Sequence, residues 1–450
     1  MDQTVLPGIP ERTDPPAAPS GRPTRPEEAR LARPVRNQIE WMPRELDALL
    51  PADHPARAIW AFLERLDLAS FYASIKAVAD RPGRPASDPQ VLLALWVFGT
   101  VQGIGSARQL ARLCQEHDAY RWIRGGVPVD YHLLADFRVA HEHELNDLLS
   151  RVVAAMMAEN LVTLERVAQD GMRVRASAGA GSFHGADSLR QCLSEARAQV
   201  ERLKKQREHP DPGLHRRAAV VQERAARERQ ERIERALALL PEVEASKQRQ
   251  RRTLAKPARE KISGPRVSTT DPEARVMHMP DGGFRPAFNV ELATDSQSQV
   301  IVGVAISNRG TDQGEALPME AQVAERTGRH PGAYLMDGGF VKREDITALE
   351  RNGVTVYAPL RPPRTATSGR EATTPRSDDS PEVIAWRERM GTDQAKKIYK
   401  DRAATAECVN ALSRLRGVQQ FRVRGLAKTL SVMLLVAITH NLLRWITLAE

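Results

Sequence analysis

Three acidic residues stand where a carboxylate can reach a ligand. Asp170 follows Val167-Ala168 in an alternating run that continues through Met172-Arg173-Val174, so it ends or interrupts a strand. Asp337 closes the short apolar run Ala333-Tyr334-Leu335-Met336, and Gly338-Gly339 behind it lets backbone or ligand approach closely. Glu407 lies on a helix whose face neighbours, Ala404 three back and Ala411 four ahead, are small. Asp295 and Asp312 rival Asp337 for the second position, the first in a hairpin turn and the second in a loop. Converging carboxylates repel unless cations neutralise them. Mg2+ takes hard oxygen ligands and keeps positions for phosphate. Two such ions about 3.5–4 Å apart activate an attacking oxygen and stabilise a leaving one. Mn2+ accepts the same octahedral oxygen ligation and substitutes for it.

The elements that must position these residues are legible in outline. Residues 1–36 hold eight prolines and no hydrophobic periodicity, the composition of a disordered arm. From 37 to 162 the pattern is helical. Asp88-Pro89 opens one helix as N-cap and first residue, and Ser106 caps the next, over 107–116. Gly103-Ile104-Gly105 turns the chain between them. A helix, a glycine turn and a helix exposing Arg108 and Arg112 together resemble a helix-turn-helix. One long helix is expected over about 131–160.

Strands and helices mix over 163–186 and 262–450. Strands are expected at 167–174, 288–294, 300–306, 333–336 and 354–357, with helices at 315–326 and 344–351 and again from about 403. Three strands followed by alternating helices and strands imply an α/β fold, a mixed sheet flanked by helices. Residues 187–261 read as an inserted helical hairpin. Leu189, Cys192, Leu193, Ala196, Val200 and Leu203 form one apolar stripe, Pro210-Asp211-Pro212-Gly213 turns the chain, and a second helix runs to about Leu240. Residues 359–397 read as a flexible loop, with five prolines in its first part, 359–381.

Charge is unevenly placed. The chain has 66 Lys and Arg against 57 Asp and Glu, a net +9. Residues 187–261 alone carry 20 bases against 12 acids, and residues 408–449 carry six bases and no acid. Such polarisation suits a polyanion, most simply nucleic acid, and with aromatics at only 5% a duplex backbone is favoured over stacked single-strand bases. The three cysteines, Cys114, Cys192 and Cys408, show no CxxC or zinc spacing, which argues for a reducing compartment. No signal peptide is visible and the longest apolar run, 91–98, is eight residues, so a cytoplasmic protein with no membrane span is expected.

Beyond spacing, Ala168-Gln169-Asp170-Gly171-Met172-Arg173-Val174-Arg175-Ala176 resembles the first-aspartate segment of bacterial insertion-sequence DDE transposases. Pro51-Ala52-Asp53-His54-Pro55, Pro82-Gly83-Arg84-Pro85, Gly103-Ile104-Gly105-Ser106-Ala107-Arg108 and Tyr131-His132-Leu133-Leu134-Ala135-Asp136-Phe137-Arg138 resemble that family's N-terminal helical domain. Leu335-Met336-Asp337-Gly338-Gly339-Phe340 resembles its second-aspartate segment, and Tyr399, Arg402 and Glu407 its tyrosine-arginine-glutamate signature. Arg414 stands where such families often carry a lysine, and Leu134-Ala135 departs from a usual hydroxyl residue. The resemblance spans roughly 37–450.

It implies an RNase H-like core with Asp170, Asp337 and Glu407 as catalytic metal ligands, and a transposase that binds terminal inverted repeats and performs metal-dependent strand cleavage and transfer. Double-stranded DNA, as transposon ends and target, is the implied partner, held by a homodimer. Arg108, Arg112, Tyr399, Arg402 and Arg414 are the expected DNA contacts. On a continuous helix Arg414 lies about 20° from Glu407, Tyr399 about 80° and Arg402 about 140°. Arg402 therefore joins the site only if the helix begins after it. Another RNase H-like nuclease, or a domesticated DNA-binding protein without activity, are the alternatives.

Overall fold

The computed structural model describes residues 43–77, 85–208, 216–253, 263–360 and 372–449. The N-terminal arm, Pro82-Gly83-Arg84 and the hairpin turn at 210–213 lie outside the described residues.

Seven helices come first: α1 (Pro55–Glu64), α2 (Ala69–Tyr72), α3 (Pro89–Val101), α4 (Ala107–Glu116), α5 (Asp118–Arg124), α6 (Tyr131–Ala140) and α7 (Glu142–Ala158). Local chemistry sets their ends. Asp88 accepts from the Gln90 amide with Pro89 in the first turn, and Ser106 accepts from the Gln109 amide. The single helix expected over 131–160 is broken. His141 leaves helical geometry (φ −114°, ψ 41°) and packs its ring on Phe71 and Phe137, with centroids 5.4 and 4.8 Å away.

A six-stranded mixed sheet follows, formed by β1 (Arg166–Arg175), β4 (Arg275–His278), β5 (Phe284–Asp295), β6 (Ile301–Ser307), β7 (Ala333–Leu335) and β8 (Thr355–Tyr357). β5 runs antiparallel to β1 and pairs β6 and β4 along its other edge. β7 lies parallel to β1, and β8 parallel to β7. β7 pairs only Arg166 to Ala168, so β1 runs on past Asp170 without it and is next met by a single parallel bridge from Arg175 to Gln420. Helices α10 (Ala316–Thr327) and α11 (Arg343–Arg351) connect the later strands. The sheet is mixed, curled and flanked by helices, as the element order implied.

The insertion leaves the sheet through a two-stranded ribbon, β2 (Phe183–His184) with β3 (Val267–Ser268). Its helices are α8 (Ala186–Glu208) and α9 (Arg216–Thr253). The second was expected to stop near Leu240, since proline breaks helices. It continues through Pro241 because Val243, two residues on, is buried with Leu189, Ala196, Ile233 and Ala236 in the hairpin's own small core.

The end of the chain is more helical than its composition suggested. Of the expected loop over 359–397, residues 361–371 lie outside the described residues, and its second part is helical, in α12 (Pro381–Gly391) and the start of α13 (Asp393–Arg402). Ser380 caps α12 by accepting from the Val383 amide, with Pro381 at its start, and Trp386 buries one face. A π-helical turn, Ala403–Glu407, joins α13 to α14 (Cys408–Leu415).

Last comes α15 (Leu426–Ala449), long and apolar enough by composition to cross a membrane, a feature that counting contiguous apolar residues missed. Here it is a core element, with 67% of its most apolar window buried. It packs on α3, α6 and α7 on one side and β6 on the other, so the helical region and the sheet share one core. Asn441 binds both the amide and the carbonyl of Ile301 at 2.8 Å, fixing α15 to the edge of β6.

Candidate active site

β1 places Asp170 at the point where β7 ceases to pair, so its carboxylate faces out of the sheet toward α13 and α14. Asn410 of α14 donates to Asp170 Oδ2 at 2.9 Å. Arg402 Nη1 lies 3.5 Å from Asp170 Oδ1, and Arg402 Nη2 donates to Glu407 Oε1 at 3.0 Å. Asp337 follows β7 directly, and its Oδ1 accepts from the Gly339 amide at 2.6 Å. Its charge reaches both Asp170 and Arg402. Asp170 and Glu407 therefore share one guanidinium, and Asp337 acts on it through its charge. Burial pushes the Asp170 carboxyl up to about 6; Arg402 opposes that rise and Asp337 adds to it.

Arg402 is where helical geometry had to be corrected. On a continuous α-helix a residue five ahead points elsewhere. The π-helical turn from Ala403 to Glu407 places residues five apart in line, which brings Arg402 onto Glu407. Tyr399 supports it, with the guanidinium carbon 5.9 Å above the ring centroid. Arg414 lies exposed in the last turn of α14.

Arg108 and Arg112 stand apart from this cluster, both exposed on α4. Arg108 lies over the Tyr131 ring at 5.1 Å, and Arg112 pairs with Glu116 at 3.3 Å. The turn before them packs against the chain just past α14. A Cβ on Gly417, just past α14, would lie 2.7 Å from the Gly103 carbonyl oxygen. Buried Arg138 braces that turn by donating to the Gly105 carbonyl at 2.8 Å, with its guanidinium 4.3 Å over the Trp96 ring.

A second acidic group was not foreseen. Asn289 Nδ2 donates to Glu291 Oε1 and to Asp312 Oδ1, both at 2.7 Å. Asp312 lies between the two aspartate segments. A Cβ on Gly171 would sit 2.8 Å from Glu291 Oε1 and 3.0 Å from Asp312 Oδ1, and one on Gly339 only 3.2 Å from Asp312 Oδ2. The glycines beside Asp170 and Asp337 thus make room for Asp312. Glu291 is fully buried and its carboxyl is held well above the usual range by burial, with Asp312 adding to the effect. Asp312 is the rival aspartate that the sequence puts in a loop; the signal for its place beside the other two is the pair of glycines. Asp295 is a turn cap, buried and accepting from the Leu164 amide and from the amide and hydroxyl of Ser298.

The donors match a hard divalent cation in type: carboxylate oxygens beside Asn410 Oδ1, which is buried with no hydrogen-bond partner. Among the described residues no three acidic, imidazole or thiol side chains converge tightly enough to hold one ion, since Asp170 and Glu407 both face Arg402.

Comparison with known proteins accounts for both ends of the chain. Residues 44–140 match a family model described as a transposase domain (DUF772), and residues 363–446 match a transposase DDE domain. The second match contains Tyr399, Arg402, Glu407 and Arg414; Asp170 and Asp337 lie outside it. No curated protein and no solved structure matches the chain.

Proposed function

We infer that this chain, an insertion-sequence transposase of the DDE type by the two domains it carries, cuts and joins DNA at Asp170, Asp337 and Glu407. The observation that supports this most is the placement of Arg402 against Asp170 and Glu407, which gathers acids from β1 and the π-helical turn beside Asp337.

The reaction is two in-line displacements at phosphorus. In the first, water attacks the phosphodiester at the element's end, the P–O3′ bond breaks, and a 3′-hydroxyl leaves. In the second, that hydroxyl attacks a target phosphodiester and displaces its 3′ oxygen. Two Mg2+ ions, or Mn2+ in their place, held by Asp170, Asp337 and Glu407, would activate the attacking oxygen and neutralise charge on the leaving one. Asn410 orients Asp170 through its amide. Arg402 and Arg414 supply guanidinium groups to phosphate oxygens, where planar, bidentate donors are favoured. Tyr399 keeps Arg402 in place. Arg108 and Arg112 on α4 read the terminal repeats, and two copies of the chain hold the two ends.

The test is an end-cleavage assay with DNA binding followed in parallel. Asp170→Ala, Asp337→Ala and Glu407→Ala should each lower cleavage by on the order of 10²–10³ or more while binding stays near the parent level. Chelator should stop cleavage, Mg2+ and Mn2+ should restore it, and Ca2+ should permit binding without cutting, because loose coordination misplaces the nucleophile. Cleavage that persists in excess chelator overturns the metal-dependent reading, and full activity in any one variant removes that residue from the site.

A further inference from the structure

Four arginines line one open groove of about 270 Å³ that β1 reaches beyond Asp170: Arg173 and Arg175 of β1, Arg285 of β5 and Arg414 of α14. Asp281, the one acid in its lining, is taken by Arg285. Arg173 donates to the carbonyls of His278 at 3.1 Å and Gly310 at 3.2 Å, gripping the loop that carries Asp312. Arg175 and Arg414 are exposed, and neither side chain has an ion-pair partner among the described residues. Like charges crowded into one groove repel each other, which is a cost unless an anion occupies it.

Position limits what that anion is. A strand advances about 3.3 Å per residue, so Arg173 and Arg175 stand roughly 10–17 Å beyond Asp170. Each strand of a duplex advances about 3.4 Å per nucleotide, so the distance corresponds to some three to five base pairs. Neutral carbonyls already hold Arg173 in place, so its charge remains available to the groove.

We propose that this groove holds the phosphodiester backbone of duplex DNA a few base pairs from the bond being cut, with Arg173, Arg175, Arg285 and Arg414 as phosphate contacts; this rests on the transposase reading above. The contacts are to backbone, so they act on any sequence and fix register without reading bases.

The experiment measures binding of the full chain to a short fluorescein-labelled duplex of arbitrary sequence by anisotropy across a salt series. Each phosphate contact contributes about 0.9 to the slope of log K against log salt. Arg175→Ala/Arg414→Ala should therefore shallow the slope by about 1.8, while Arg175→Lys/Arg414→Lys keeps it near the parent value. Arg173 is left unchanged because it braces a loop. An Ala double variant with the parent slope and an unchanged circular dichroism spectrum overturns the groove, and does so alone if the parent still cleaves DNA with Mg2+. A parent chain that neither binds nor cleaves duplex overturns the transposase reading and the groove with it.

Discussion

Arg402 and Glu407 are five residues apart and joined by a 3.0 Å hydrogen bond, with a π-helical turn between them. Without that turn the arginine would face away from the acid. Irregular helical turns often mark functional sites, and this one orients two of the signature residues. The same guanidinium reaches Asp170 in β1, so one side chain links the helix and the strand.

If that bridge is the role of Arg402, lysine should not replace it. A single ammonium cannot present parallel donors to two carboxylates. Arg402→Lys and Arg402→Ala should each lower the cleavage rate by on the order of 10²-fold, measured as single-turnover end cleavage. Parent-like turnover in the lysine variant would make Arg402 a simple counter-charge.

Asn410 acts one step back, through Asp170. Removing such a second-layer partner typically costs about 10–100-fold in metal affinity. Asn410→Ala should move the Mg2+ dependence of cleavage to higher concentration by that factor and recover near-parent rates at saturating metal. A purely structural role would lower the rate at every Mg2+ concentration alike.

Gly417 has φ +91° and a neighbouring carbonyl 2.7 Å from where its Cβ would sit. Gly417→Ala should destabilise the fold by about 1–3 kcal/mol through strain and the clash with Gly103. Gly282, at φ +83° with nothing within 4 Å, provides the comparison, since alanine there meets only the backbone penalty. Denaturant melts should rank Gly417→Ala as clearly the less stable; equal midpoints would mean the two turns are free to separate.

His440 carries a pH prediction. It is fully buried, accepts from Arg416 Nη1 at 2.6 Å and donates to the Gln299 carbonyl at 2.7 Å. Burial, with Arg416 adding, pulls its pKa from 6.5 down to about 4. A depressed folded value means the stabilisation is present above pH 6.5 and is lost as pH falls toward 4. The loss amounts to about 3 kcal/mol at most. His440→Gln should flatten stability against pH across that window, whatever its effect at neutral pH, and an unchanged acid limb would show that His440 is not the group responsible.

Much of the architecture was legible because local rules and tertiary structure agree. Asp88 and Ser106 cap the helices their positions suggested, and the five strands of the core follow in the expected order. Asp170 could be nominated because the interruption of a strand is a place where a carboxylate is presented, whereas the contact of Glu407 with Arg402 depends on the π-helical turn. What could not be read depends on contacts distant in sequence. His141 leaves its helix for two phenylalanine rings, Pro241 is carried by the packing of Val243, and Asp312 is visible only once Gly171 and Gly339 are adjacent in space. The π-helical turn has no single-residue signature at all.

The helix α15 also sets when the chain can finish folding. α3 buries nearly its whole surface, and part of its cover is α15, which is synthesised only after the insertion and the whole sheet. Until then α3, α6 and α7 wait with apolar faces uncovered, the kind of intermediate that aggregates or engages chaperones. A product ending before residue 426 would be an unfinished core and not a smaller version of the fold. Folding of the helical region is therefore tied to synthesis of residues 426–449.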